Sequence, residues 1–501
     1  MLFLILMLLQ FSSFTFLFLI CLSLPIYWSL NGKTQIQNLF LLVLSYILYC
    51  WITFWLGIIL FISTVFNYLT GLLIGWLKKK ISRKIILYFA IAGNLFYLFI
   101  FRYFNFFCIE ISNFLNLIGL KANPFTLILI IPIGISYYTF SAISYNIDIC
   151  KNDINATKNF IFFALFLAFF PKMIAGPIER GDPLIPQISN KKGLKKQDFS
   201  SAIQLILIGY FKKVVLADFI NRFISGLYLN PRRYSSAEAL IIMWLFIIQL
   251  YADFSGYTNI AQGISKFFGI NLRMNFNTPF LSYNISDMWR KWHISLTSWF
   301  KDYLYLPLGG NKKGFYRTLL NIMIIFVVSG LWHGPFLTMI IWGALNGFYV
   351  VIHRIFSKYT LKWKYYQKLK LTDKRYIQKK DLFIKYIYLF LSWLISFSIF
   401  AFSFIFFASK DIKIALRICR LIFSIKYDFT YEDDLYILIY LLIFSAFFIF
   451  LFDFFQWKLK KQEIFTNLHW FLRIICYLFM FVMIIIFQTI SEQQPFIYEG
   501  Y

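Results

Sequence analysis

Apolar stretches of about 20 residues recur along the whole chain, and a stretch of that length is what one helical span of a bilayer needs. They lie near 3–30, 38–77 (long enough for two), 85–120, 125–147, 159–176, 201–228, 238–265, 318–352, 383–409, 434–456 and 467–490. Hydrocarbon offers no partners to open backbone, so such a sequence is confined to helices or closed barrels. Runs this long and unbroken fit helices. The fold class expected is therefore all-α, a polytopic integral membrane protein. At that length per span it has roughly 10 to 13 membrane segments, re-entrant and interfacial pieces included. The first stretch lacks a basic leader and a small-residue cleavage site, so it reads as a retained span. Residues 1–501 read as a single membrane domain, with peripheral helices over 1–120, the unusual polar and helix-breaking residues over 125–350, and further spans over 354–501. No internal repeat supports an inverted-repeat transporter.

The net charge of +27 raises the question of nucleic acid, but the cations sit between spans. Lys78, Lys79, Lys80, Arg83 and Lys84 form one group, Lys191, Lys192, Lys195 and Lys196 a second, and Lys312, Lys313 and Arg317 a third. The largest runs from Arg354 to Lys385. Short basic loops mark the cytoplasmic face and attract anionic lipid headgroups at about 1 kcal/mol per charge. Membrane lipids are thus the partner implied, and nucleic acid is not. An odd number of spans before Lys78 would put the N-terminus outside. The six cysteines stand singly, with no CxxC or metal-ligand spacing, and the four histidines are too dispersed for a zinc motif. No metal site is expected.

His333 stands out against this background. It lies in Ser329-Gly330-Leu331-Trp332-His333-Gly334-Pro335, between the apolar flanks Leu319–Val328 and Phe336–Leu345. Ionisable residues in spans are rare and mark functional sites by default. Gly334 and Pro335 would break a helix there, and irregular backbone at membrane depth is tolerated only beside protein or a water-filled cavity. A core histidine bonded to a neighbour is the competing reading, and the rarity of such residues in spans favours function. In Tyr251-Ala252-Asp253-Phe254-Ser255-Gly256-Tyr257 a carboxylate falls inside an apolar stretch; Asp253 and Tyr257 are one turn apart and able to pair. Structural hydrogen bonding is the simpler reading of both.

Asp287 to Tyr303 places Trp289, Trp292, Trp299 and His293 among charges. On one helix Trp289, His293 and Leu296 would share a face. The segment is too charged for a span and too aromatic for an open loop, which predicts an interfacial or re-entrant helix anchored by its tryptophans; a plain surface helix is the alternative. Leu304-Tyr305-Leu306-Pro307-Leu308-Gly309-Gly310-Asn311 then predicts a tight turn, without the Lys-Ser or Lys-Thr of a phosphate loop.

Six ordered blocks give the chain its likeness to a known family: Pro132–Phe140, Phe170–Ile178, Asp253–Tyr257, Trp289–Gly310, Gly330–Pro335 and Pro495–Tyr498. Together they resemble the membrane-bound O-acyltransferases, and among them the bacterial branch that O-acetylates alginate, peptidoglycan and other surface polysaccharides. Cys50 departs from the small or aromatic residue usual at its place, without touching a catalytic position. The resemblance implies a tunnel through a thin waist, with His333 catalytic and His293 its second polar partner. It implies Trp289, Trp292, Trp299 and Trp332 lining or sealing that tunnel, where Asp253, Tyr257 and Asp302 are further candidates. An acetyl group from a cytosolic donor, acetyl-coenzyme A, would be carried across with no bound cofactor. His333 would act as general base or become acylated itself. A separate extracytoplasmic transferase is the implied partner, since no GxSxG nucleophile elbow occurs in the chain. The location implied is the inner membrane of a bacterium. D-alanyl transfer to teichoic acid from a carrier protein, and transport or lipid flipping, are the other functions these features would serve.

Overall fold

The computed structural model describes residues 14–51, 53–127, 129–173, 176–193, 195–359, 379–424 and 432–490. They are helical, with no strand among them. In chain order the helices are α1 (Phe14–Ser29), α2 (Thr34–Cys50), α3 (Phe54–Trp76), α4 (Lys80–Leu98), α5 (Phe104–Leu117), α6 (Ile135–Lys151), α7 (Phe160–Ala168), α8 (Phe170–Met173), α9 (Gly181–Ser189) and α10 (Lys196–Tyr210). There follow α11 (Phe219–Leu229), α12 (Ser236–Phe267), α13 (Ile285–Lys291), α14 (Ile294–Phe300), α15 (Phe315–His333), α16 (Leu337–Tyr359), α17 (Lys379–Ala408), α18 (Ile412–Phe423), α19 (Glu432–Leu459) and α20 (Trp470–Ile490). Among the described residues, eight helices are long and apolar enough to cross a membrane: α3, α4 continued into α5, α12, α15, α16, α17, α19 and α20. Two shorter apolar helices, α1 and α2, precede them.

Three of the apolar stretches behave differently from a span. The stretch near 125–147 becomes helical only at Ile135, after Gly134 turns the chain at φ 69°. A side chain at Gly134 would meet the Met173 carbonyl oxygen at 2.1 Å, so the turn requires glycine. The stretch near 159–176 is divided at Phe169 into α7 and α8. The stretch near 201–228 stays helical, but its middle, Phe211–Asp218, is a π-helical segment carrying buried Lys212, Lys213 and Asp218.

Contacts divide the chain into two compact units. One comprises Met1–Asp218, Ala252–Met274 and Phe465–Tyr501, the other Phe219–Tyr251 and Asn275–Ile464. In the first, Tyr49, Leu56, Leu60, Leu98, Ile135, Tyr138, Ala168 and Met173 form an apolar core. Amide pairs tie its spans: Asn94 Nδ2 donates to Asn67 Oδ1 at 2.7 Å and Asn146 Nδ2 to the same oxygen at 3.0 Å. Polar contacts of this kind hold spans together where lipid removes the hydrophobic driving force. The α10 and α12 backbones also approach closely: a Cβ on Gly209 would lie 2.7 Å from the Gly256 carbonyl oxygen.

In the second unit, α15 and α16 pack as a tight helical pair. Gly330 and Gly343 make this possible, since a Cβ on Gly343 would lie 2.3 Å from the Phe326 carbonyl oxygen and one on Gly330 2.3 Å from that of Met339. Small residues at such crossings allow backbones into van der Waals contact.

Candidate active site

His333 is the last residue of α15, and Gly334 leaves the helix in extended conformation. The break expected from Gly334-Pro335 is therefore a turn between two separate spans, with α16 starting at Leu337. Close packing of the pair brings Trp342 of α16 edge-on to His333, ring centroids 4.8 Å apart at 85°. Trp332 lies 4.7 Å and Phe407 5.3 Å from the same imidazole. His333 is 4% exposed, so it sits in an aromatic cage assembled from α15, α16 and α17.

The single helix expected over the tryptophan segment is divided. Helix α13 ends at Lys291, and α14 begins at Ile294 after His293 adopts the left-handed conformation, φ 45° and ψ 53°. Non-glycine residues are uncommon there, although His is enriched among them. Tertiary contacts hold the kink: the Ile294 N–H donates to the Asn275 carbonyl at 2.8 Å, and Asn277 N–H to the Lys291 carbonyl at 3.0 Å. Asn275 Oδ1 accepts from the Ser295 N–H at 3.2 Å and Ser295 Oγ at 2.9 Å, and lies 3.0 Å from His293 Nδ1. A backbone N–H donor requires that atom to be the amide oxygen, which only accepts. The Nδ1 of His293 therefore carries the proton and Nε2 the lone pair. Burial pushes the pKa of this imidazole, which lies between spans, down to about 3, so it is neutral at physiological pH.

The tryptophans divide by environment. Trp332 bridges the two histidines, 5.9 Å from His293 and 4.7 Å from His333. Trp289 packs 5.7 Å from Trp342, joining the cage around His333. Trp292 is buried among Tyr251, Phe276, Phe280 and Phe400. Trp299 packs on Phe300 and Tyr303. Asp302 is half-buried in the π-helical turn Lys301–Tyr305, and the turn expected next is present, with Gly309 and Gly310 at φ 104° and 53°.

Asp253 and Tyr257 belong to the other unit, and Lys213 links them. Its Nζ lies 2.8 Å from an oxygen of Asp253, 2.8 Å from one of Asp218, and 5.2 Å above the Tyr257 ring. Sequence reading missed Lys213, Asn275 and Trp342. The signal for Lys213 was a pair of lysines inside an apolar stretch; for Trp342 it was a position nine residues after His333 beside Gly343; Asn275 gave none. The Pro495–Tyr498 block and residues 360–378 of the basic cluster lie outside the described residues. Among the described residues no group of three His, Cys, Asp or Glu side chains is arranged to hold a metal ion.

Residues 150–373 match the membrane-bound O-acyltransferase family, MBOAT. A probable alginate O-acetylase of Pseudomonas putida is 38% identical over 357 residues, 69% of this chain and 70% of that protein. The corresponding protein of Pseudomonas aeruginosa is also 38% identical, over 66% of its length. A peptidoglycan O-acetyltransferase of Helicobacter pylori is 34% identical over 72% of this chain and 68% of its own. A teichoic acid D-alanyltransferase of Bacillus subtilis is 28% identical over 46% of this chain.

Proposed function

The chain belongs to the membrane-bound O-acyltransferase family, and we propose that it carries acetyl groups from cytosolic acetyl-coenzyme A across a bacterial inner membrane for O-acetylation of an extracytoplasmic polysaccharide. The acceptor class is peptidoglycan or an alginate-like exopolysaccharide, the substrates in the names of its relatives. The observation that carries this reading is the buried His333 in its aromatic cage at the end of a span. Helix α15 starts beside Lys312, Lys313 and Arg317, and α16 runs toward the Arg354–Lys385 cluster. Basic loops mark the cytoplasmic side, so His333, at the end of α15 away from those loops, stands on the path of an outgoing acetyl group.

The chemistry follows from one imidazole. As general base, His333 takes the proton of an incoming hydroxyl while that oxygen adds to the thioester carbonyl. The C–S bond then breaks, and the departing thiolate receives the proton from the imidazolium. As nucleophile, His333 would itself add to the carbonyl, expel the thiolate, and pass the acetyl group on. In either route Trp289 and Trp332, the tryptophans of the cage, exclude water from the thioester, and neutral His293 holds an acceptor nitrogen in the same unit. The acetyl group passes to a separate extracytoplasmic transferase, which selects the polymer.

Ester-linked acetate on peptidoglycan and on extracellular polysaccharide, compared between cells with wild-type protein and with His333→Ala, tests the reading. Loss from one polymer names the acceptor. Unchanged acetate on both, with the variant stably present, overturns it and leaves D-alanyl transfer from a carrier protein as the next reading to test.

A further inference from the structure

We propose that the indole N–H groups of Trp342 and Trp289 are hydrogen-bond donors to the carbonyl oxygen of the acyl group, so that the aromatic cage beside His333 doubles as an oxyanion hole. The proposal rests on the acyl-transfer reading above and deepens it. Trp342 is 1% and Trp289 8% exposed, and neither Nε1 finds a hydrogen-bond acceptor among the described residues. A buried donor without a partner is expensive, and buried tryptophans ordinarily find one. Two such donors in contact with each other, one of them against the candidate catalytic imidazole, call for a common explanation.

The rings are not placed at random. Trp342 packs against His333 at 4.8 Å, Phe404 at 5.4 Å and Phe407 at 5.3 Å. Trp289 is held by Phe326 at 5.2 Å and Phe400 at 5.3 Å. Phenylalanine rings pack on both indoles, and neither N–H has a hydrogen-bond acceptor among the described residues. That is the condition for electrostatic preorganisation: donors set in a dry site before charge develops, at no cost in reorganisation when it does. The acyl carbonyl oxygen supplies the missing acceptor. When a hydroxyl oxygen or His333 adds to the carbonyl carbon, the C=O π electrons move onto that oxygen, and the indoles bind the resulting oxyanion. Collapse restores the C=O bond as the C–S bond breaks and the thiolate leaves. Both routes pass through this species, so the role does not depend on which one operates.

The test uses the full-length protein in detergent with labelled acetyl-coenzyme A, reading acetyl released or transferred. Trp342→Phe and Trp289→Phe remove the N–H but also shrink the ring. A second pair of variants therefore carries 3-benzothienylalanine at either position, which keeps the indole shape without its donor. The expected result is a fall of about 100-fold in kcat at each position, the scale of losing one oxyanion donor. The fall in kcat/KM should be equal, as for an interaction made only in the transition state, with the melting temperature of the benzothienyl variants unchanged. Wild-type turnover that His333→Ala abolishes but the benzothienyl variants leave intact overturns this proposal alone. Wild-type protein that consumes no acetyl-coenzyme A overturns the acetyl-donor reading and this proposal with it.

Discussion

The carboxamide oxygen of Asn275 sets the tautomer of His293. It already receives the N–H and hydroxyl of Ser295, and at 3.0 Å it takes the Nδ1 proton as well. Asn275→Ala would take the shared acceptor away from these buried donors, at about 1–3 kcal/mol for a hydrogen bond lost to a buried group, and would loosen the hold on the imidazole. Thermal unfolding in detergent is expected to fall by several degrees. Acetyl transfer should drop about 10- to 100-fold, the scale of a misplaced catalytic group. Asn275→Asp keeps the acceptor and is expected to restore most of the stability. Equal losses in the two variants would refute the assigned hydrogen-bond roles.

Burial of His293 also gives stability a dependence on pH. Its folded pKa, about 3, lies below the ordinary 6.5, so below 6.5 the unfolded chain binds a proton that the folded one excludes. The contribution is complete above pH 6.5 and is lost as pH falls toward 3. Between pH 6.5 and 5 the loss approaches about 2 kcal/mol. Melting temperatures of wild type and His293→Gln measured from pH 7.5 to 5 separate this histidine from other titrating groups. The variant should show the flatter curve, and parallel curves would count against a buried neutral imidazole.

How far the sequence discloses the site depends on the range of the forces involved. His333 and the Trp289–Trp299 segment are legible because a titratable or indole side chain near apolar runs departs from its local surroundings. The break at Trp292–His293 is not, because no glycine or proline announces it; backbone bonds from Asn275 and Asn277, distant in sequence, impose a left-handed residue on an otherwise helical pattern. Trp342 reads as one more aromatic in an apolar span, and only the Gly330–Gly343 approach brings it to His333. The same limit explains Asp253: its partner Lys213 lies forty residues earlier, and periodicity within α12 points instead to Tyr257. Spans are legible where they are uniform, and illegible where a π-helical turn accommodates charge, as over Phe211–Asp218.

The Lys213 ammonium serves two buried carboxylates at 2.8 Å each. Removing it takes the countercharge from both, whereas removing one carboxylate leaves the lysine paired with the other. Lys213→Met is therefore expected to cost about 3–5 kcal/mol, visible as poor membrane accumulation and a much lower melting temperature. Asp253→Asn should cost clearly less, because Asp218 still neutralises the lysine. A Lys213→Met protein as stable as wild type would mean that the network carries no stability.

The glycine pair of α15 and α16 makes the last prediction a geometric one. A methyl group on Gly343 would sit 2.3 Å from the Phe326 carbonyl oxygen and 3.1 Å from the Gly330 Cα. Both obstacles are backbone, so the side chains cannot yield and the helices must separate. Overpacking of this kind costs about 1–3 kcal/mol. Trp342, the immediate neighbour of Gly343, would move with its helix and draw away from His333. Gly343→Ala should thus lower activity by more than its melting temperature implies, since it disturbs the cage itself. Gly347→Ala is the milder comparison: it lies one turn further along α16, where the nearest atoms are Phe326 Cβ and Met323 Sδ at 3.0 and 3.1 Å, and a shift of a few tenths of an ångström relieves the contact. It should lose stability modestly and keep its turnover. Equal activity in the two variants would show that the spacing of α15 and α16 does not govern the site.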